Sequence, residues 1–208
     1  MKLTVLLLLL LAALTAGCKK DVASQTSSAE VSAPPRTQTP QSSQAQQFSK
    51  RFMGSELGEI FDMTQGNVEQ RYGVPSAQHT ETVEEQEILV LVYENALFHI
   101  DLFNHKVCFA ALTDPEHPPL RGVVVGTAMD AVLSAFQDEG STALTPHGER
   151  FIRLLYGEYG QGNSYGVVWY DGEIPDSIEY GDGDVGTVIF ELTDEKVSRM
   201  IFKRPVRY

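Results

Sequence analysis

The 208-residue chain carries 16 Lys and Arg against 28 Asp and Glu, a formal net charge of −12, and from Phe52 onward ten basic residues face twenty-six acidic ones. Such a surface suits nucleic acid poorly, because proteins bind it mainly by neutralising phosphates with Lys and Arg. Two cysteines, Cys18 and Cys108, are too few for a disulfide framework, so a domain of this size must rely on a hydrophobic core.

The chain opens with Met1-Lys2, an apolar run from Leu3 to Leu14 that includes six consecutive leucines, and then Thr15-Ala16-Gly17-Cys18. That is the layout of a secretory signal: a charged start, an apolar stretch and small residues at a cleavage site. About a dozen apolar residues make roughly 18 Å of helix, against roughly 30 Å of hydrocarbon to cross. Ala16-Gly17-Cys18 resembles the lipobox of bacterial lipoproteins, with one departure: Thr15 stands where that family usually has leucine, which here lies at Leu14. The resemblance implies cleavage after residue 17, acylation of Cys18, and an envelope protein anchored to a membrane. Lys19 after the cysteine, rather than Asp, implies the periplasmic face of the outer membrane in a host with two membranes. Two or three acyl chains, at about 0.8 kcal/mol per buried methylene, hold where one would not.

Residues 19–49 are built from Ser, Thr, Gln, Ala and Pro with almost no large apolar side chain. Such a stretch cannot bury enough surface to offset its chain entropy, so residues 18–51 are expected to be a lipidated cysteine followed by a disordered tether. A coil of that length reaches roughly 30 Å, and fully extended roughly 100 Å.

A short helix is expected over Asn67–Tyr72, where Val68 and Tyr72 share a face and Gly73 with Pro75 ends the run. Strands follow at Ile88–Tyr93, Leu97–Leu102 and Lys106–Leu112, and the proline-rich Asp114–Pro119 reads as a connector. A second helix is expected around Val132 and Phe136, with Thr127 and Asp130 as a capping box and Gly140 as its end. Further strands read at Phe151–Tyr156, Tyr165–Tyr170, Thr187–Leu192 and Val197–Phe202.

An internal similarity organises these elements. Phe98–Val107 and Val188–Val197 align at an offset of ninety: Asp101 matches Glu191, Leu102 matches Leu192, Asn104 matches Asp194, and Lys-Val recurs at Lys106-Val107 and Lys196-Val197. Both read as strand, turn, strand. The helices align at an offset of sixty-four, so the second copy holds about twenty-six additional residues, mostly between Gly157 and Gly186. The expected fold class is α+β: two tandem units of helix plus antiparallel meander, with the helices packed on one face of the sheet. Residues 52–119 form the first unit with its connector, and residues 120–208 the second, with a hairpin insert near 157–186. The run Tyr72-Gly73-Val74-Pro75 before a meander whose last hairpin carries Lys106-Val107 resembles the SmpA/OmlA (BamE) family of small outer-membrane lipoproteins. In tandem it is similar to the β-lactamase inhibitor proteins. The resemblance implies a protein-binding module, either an envelope scaffold or an inhibitor, and assigns no interface residue.

The insert concentrates the functional candidates. Tyr156, Tyr159, Tyr165, Trp169, Tyr170 and Tyr180 crowd into twenty-five residues. Tyr and Trp bury much area at low entropic cost and are enriched at interface hot spots, so Tyr159, Trp169, Tyr170 and Tyr180 are the candidate partner-binding residues. The alternative for Trp169 is a core position, on one strand face with Tyr165 and Val167. Asp182-Gly183-Asp184 closes a run of acidic groups and offers weak calcium ligands in Asp182 and Asp184, without the glutamate that completes a calcium loop. A small-ligand or calcium-binding module is therefore the second functional reading. His105 and Cys108 have a zinc-like spacing, but their counterparts Glu195 and Ser198 do not keep it. No nucleophile motif is present, and Cys108 lies in an apolar run that suggests burial. The expectation is a non-enzymatic protein with no cofactor beyond the lipid, anchored to a membrane and binding a protein partner.

Overall fold

The computed structural model describes residues 51–116, 119–140 and 142–205. The signal segment, Cys18 and nearly all of the tether lie outside them. Among the described residues no helix is long and apolar enough to cross a membrane.

Ten strands form one antiparallel sheet: β1 (Ala77–Val83), β2 (Gln86–Val92), β3 (Ala96–Asp101), β4 (Lys106–Leu112), β5 (Thr145–His147), β6 (Arg150–Tyr156), β7 (Tyr165–Asp171), β8 (Ile174–Asp182), β9 (Gly186–Thr193) and β10 (Lys196–Lys203). Their spatial order is β1-β2-β3-β4-β10-β9-β8-β7-β6-β5. The chain therefore walks inward from one edge to β4, crosses through residues 113–144 to the other edge, and walks inward again to β10.

Among the described residues the helical segments are few and short. A 3-10 turn at Gly54–Leu57 leads into α1 (Gly58–Phe61), followed by α2 (Gln65–Tyr72) and α3 (Met129–Ala135). Thr64 caps α2 with its side chain accepting from the Asn67 amide, while Asn67 Oδ1 accepts from the Thr64 amide. Gly73, at φ +81°, ends it.

These segments cover one face of the sheet, and period-two alternation sends the large apolar residues there. Phe98 and Ile100 of β3, Ile178 and Tyr180 of β8, Phe190 of β9 and Phe202 of β10 join Phe61, Val68, Val132 and Phe136 in one core. Arg121 fastens the segments that cover it. Its side chain, only 2% exposed, bonds both carboxylate oxygens of Glu56, at 2.6 and 2.5 Å, and the carbonyls of Arg51 and Ala135, and its guanidinium lies 4.5 Å from the centre of the Phe136 ring.

The expectation of two tandem helix-plus-meander units is corrected by this sheet. β4 and β10 pair over Phe109–Leu112 and Met200–Lys203, so strand pairing runs without a break across the whole domain. The physical reason lies in those two strands. Each ends its own run with one open edge and an apolar row, Ala110-Ala111-Leu112 and Met200-Ile201-Phe202, and pairing satisfies the backbone while burying the rows. The described residues are mainly strand with few short helices, and the resemblance to the SmpA/OmlA (BamE) family and to the tandem β-lactamase inhibitor architecture does not survive.

Local readings are corrected as well. The helix at Val132 starts from Ala128 with no side-chain cap, because the Thr127 hydroxyl accepts from the Val124 amide instead. The two hairpins aligned at an offset of ninety form, but the matched acids differ in use. Asp101 accepts from the Phe103 amide and Asn104 Nδ2 inside its own turn, whereas Glu191 pairs with Arg199. The 157–186 stretch supplies β7 and β8, both inner strands of the sheet.

Candidate functional site

Among the described residues no helix packs on the second face, and its centre is closed by the sheet's own side chains. Val90, Ala111, Ile152, Val167 and Ile201 are buried there without belonging to the core under the helices. Toward the β5 end, this open face carries an aromatic group centred on Trp169.

Strand register builds the group. Ile152 and Ser177 flank Trp169 on β6 and β8, Tyr165 lies opposite Gly181, and Arg150 lies opposite His147 on the edge strand β5. The Trp169 Nε1–H donates to Glu179 Oε2 at 2.8 Å, and the Tyr165 hydroxyl donates to Glu179 Oε1 at 2.6 Å, so one carboxylate fixes two rings. Tyr159 and His147 meet the Trp169 ring edge-on at centroid distances of 5.3 and 5.4 Å, and Tyr159 meets Tyr165 at 5.1 Å. The Arg150 guanidinium lies 4.7 Å from the Trp169 ring centre and pairs with Asp176. Burial, with Glu179 accepting its proton, pushes the Tyr165 hydroxyl far above its usual range, so it remains a donor. Burial also raises Tyr159.

Two glycines on neighbouring strands make the ring positions possible. A Cβ on Gly181 would come within 2.4 Å of the Tyr165 ring, and one on Gly166 within 2.8–2.9 Å of Tyr180 and Tyr156. The cross-strand pairs Tyr165↔Gly181 and Gly166↔Tyr180 therefore lay one ring over a bare glycine on each face. Such cross-strand contacts hold aromatic side chains in one geometry.

The four aromatic candidates divide accordingly. Trp169 and Tyr159 come together, both half-buried, on the open face. Tyr170 packs against the covered core from the other side of β7. Tyr180 is 0% exposed and stacks on Phe136 at 4.0 Å, so it is removed from the partner-binding set. Sequence reasoning missed His147, Arg150, Asp176 and Glu179, which join Trp169 only through register. The alternation of Tyr165, Val167 and Trp169 was the one available signal.

From Trp169 a trough of about 440 Å³ runs across β8, β9 and β10 past Glu179, Ile189, Glu191, Ile201 and Lys203. A second hollow of about 700 Å³ lies at the β1–β4 end of the sheet, lined by Val83, Ile88, His99, Phe103, Cys108 and Phe109 among others, and Lys203 borders both. Phe103, on the β3–β4 turn, is 93% exposed.

The other candidates are engaged in local structure or stand apart. Asp182 Oδ2 accepts from the Gly54 amide at 3.1 Å, and Asp184 lies in the adjoining β8–β9 turn. Among the described residues no group of three or more His, Cys, Asp or Glu side chains comes together as a metal site. His105 occupies a left-handed turn position at φ +60°. Cys108 is half-buried and donates to the His99 carbonyl at 3.4 Å, and burial raises its thiol pKa. His99 Nδ1 lies 4.0 Å from Glu81, beyond hydrogen-bond length, and burial lowers the imidazole pKa.

No family model matches the chain, and no curated protein does. Among solved structures it is similar to an extracellular protein containing an SCP domain from Bacillus anthracis str. Ames, at 12% identity and a TM-score of 0.35, covering 70% of this chain and 44% of that one. It is also similar to a cysteine-rich secretory protein from Staphylococcus aureus subsp. aureus Mu50, at 9% identity and a TM-score of 0.38, covering 74% and 47%. The chain spans less than half the length of either.

Proposed function

We propose that the chain is a lipid-anchored protein of the bacterial envelope, without enzymatic activity, that binds a partner polypeptide on the open face of its sheet. One observation carries this reading: the Trp169 group is held rigid by Glu179 and by its ring neighbours, yet keeps Trp169 and Tyr159 half exposed on the face that no helix covers among the described residues. Aromatic anchors already fixed in position lose little freedom on binding, which is what a recognition surface needs. Cys108 is unsuited to nucleophilic catalysis, since a nucleophilic thiol needs a lowered pKa and burial raises this one. The anchor rests on Ala16-Gly17-Cys18.

Capture from detergent-solubilised envelopes tests the binding face. Partners held by the native chain are expected to be lost with Trp169→Ala and retained with Tyr180→Phe; an unchanged partner set with Trp169→Ala sinks the reading. Mass spectrometry of the mature N-terminus tests the anchor separately, with a diacylated Cys18 expected.

A further inference from the structure

The two edges of the sheet differ. β5 is three residues long, and its middle residue, Pro146, has no N–H to offer. β1 is seven residues long, Ala77-Gln78-His79-Thr80-Glu81-Thr82-Val83, with neither proline nor lysine, and among the described residues it pairs only with β2. Natural edges are usually blunted by such residues, and a long flat edge without them is a template for another strand.

The outward backbone groups of β1 follow from the ladder. Tyr93 donates to the Ala96 carbonyl and Leu102 to the Glu87 carbonyl, so the odd residues of β2 turn their backbone groups toward β3. The even residues of β2 therefore face β1, and opposite them lie Ala77, His79, Glu81 and Val83. Glu84 and Glu85, both at positive φ (48° and 68°), make the two-residue turn that closes on Val83↔Gln86 in the same phase. The N–H and C=O groups of Gln78, Thr80 and Thr82 thus point away from the sheet.

We infer that β1 pairs with β1 of a second copy of this chain, antiparallel and centred on Thr80. That register sets Thr80 opposite Thr80, and Gln78 opposite Thr82 on each side, so all three outward-facing residues of each strand exchange hydrogen bonds. It also places His79 directly opposite Glu81 in both halves, at the non-hydrogen-bonded positions where opposed side chains approach most closely. Ala77 meets Val83. The edge is self-complementary in sequence, charge and backbone phase together, which is what a two-fold interface requires. The proline-bearing far edge limits the assembly to a dimer. Net repulsion between two acidic domains is screened within about 8 Å at physiological ionic strength.

Disulfide trapping on the full chain, purified in mild detergent in a Cys108→Ser background, reads the register. Thr80→Cys places its thiol opposite its own copy, whereas Gln78→Cys lies about 14 Å from its copy by strand rise and spacing. Strong dimer cross-linking by Thr80→Cys and little by Gln78→Cys is expected. Sedimentation of the native chain is expected to show a concentration-dependent dimer. Thr80→Pro, which removes an outward donor and leaves the β1–β2 ladder intact, weakens it at least about tenfold, roughly the loss of two central hydrogen bonds. A melting curve confirms that this variant folds. Equal cross-linking by the two cysteine variants, a native chain that is monomeric throughout, a dimer indifferent to Thr80→Pro, or a strand of another protein captured by a monomer would each overturn the inference.

Discussion

The two faces of the sheet use the same residue types to opposite ends. Under the helices, Tyr180, Phe136, Phe190 and Phe98 are buried among aliphatic neighbours and serve only cohesion. On the open face, Trp169 and Tyr165 are held by hydrogen bonds to one carboxylate and Tyr159 by edge-on contacts with both rings, and part of the Trp169 and Tyr159 surface stays in water. Aromatic content alone therefore says little about function. What separates these rings is exposure: Trp169 and Tyr159 stay half-buried on the open face, whereas Tyr180 is fully buried, with a hydroxyl that has no hydrogen-bond partner among the described residues.

Substitutions can break this comparison. The largest effect is expected from Phe190→Ala on the covered face, about 3–5 kcal/mol of lost stability from transfer and cavity terms, read by denaturant melts. Arg121→Ala follows at about 2–4 kcal/mol, because it strips a buried ion pair and leaves Glu56 and two carbonyls without their donor. Trp169→Ala on the open face is expected to cost under about 2 kcal/mol while abolishing partner capture, the reverse of the Phe190→Ala profile. If Trp169→Ala were as destabilising as Phe190→Ala, the division between a cohesive and a presenting face would fail. Tyr180→Phe is expected to be neutral or to gain up to about 1 kcal/mol, since it removes a buried hydroxyl that makes no bond and keeps the ring stack.

The smallest effect concerns pH. Burial lowers the pKa of His99 below its ordinary 6.5. Between that lower value and 6.5 the unfolded chain takes up a proton that the folded chain refuses, so stability falls as pH drops through this window and is fully present above it. His99→Gln is expected to flatten that part of the melting-temperature profile.

Much of the strand content was legible. β2, β3, β4, β6, β7, β9 and β10 all fall where apolar alternation and turn residues placed them, and α2 falls where Val68, Tyr72 and Gly73 did. β1 was missed because an edge strand solvated on most of its surface has no apolar row to show. β8 was missed because Asp176, Glu179 and Asp182 dominate its composition, although Ile178 and Tyr180 serve the covered face. In the site, Trp169 and Tyr159 were legible as aromatics near turns. Arg150, His147, Asp176 and Glu179 were not, since they lie on three other strands.

By itself the sequence determined the acidic character of the domain and most of the local strand and turn pattern, because each of these depends on composition or on neighbours along the chain. Only the tertiary structure decided that β4 joins β10 to make one sheet, that Tyr180 turns inward while Trp169 stays at the surface, and that one edge is open and the other closed. Those outcomes depend on which strands pair and in which register, and a shift of one residue would exchange the two faces.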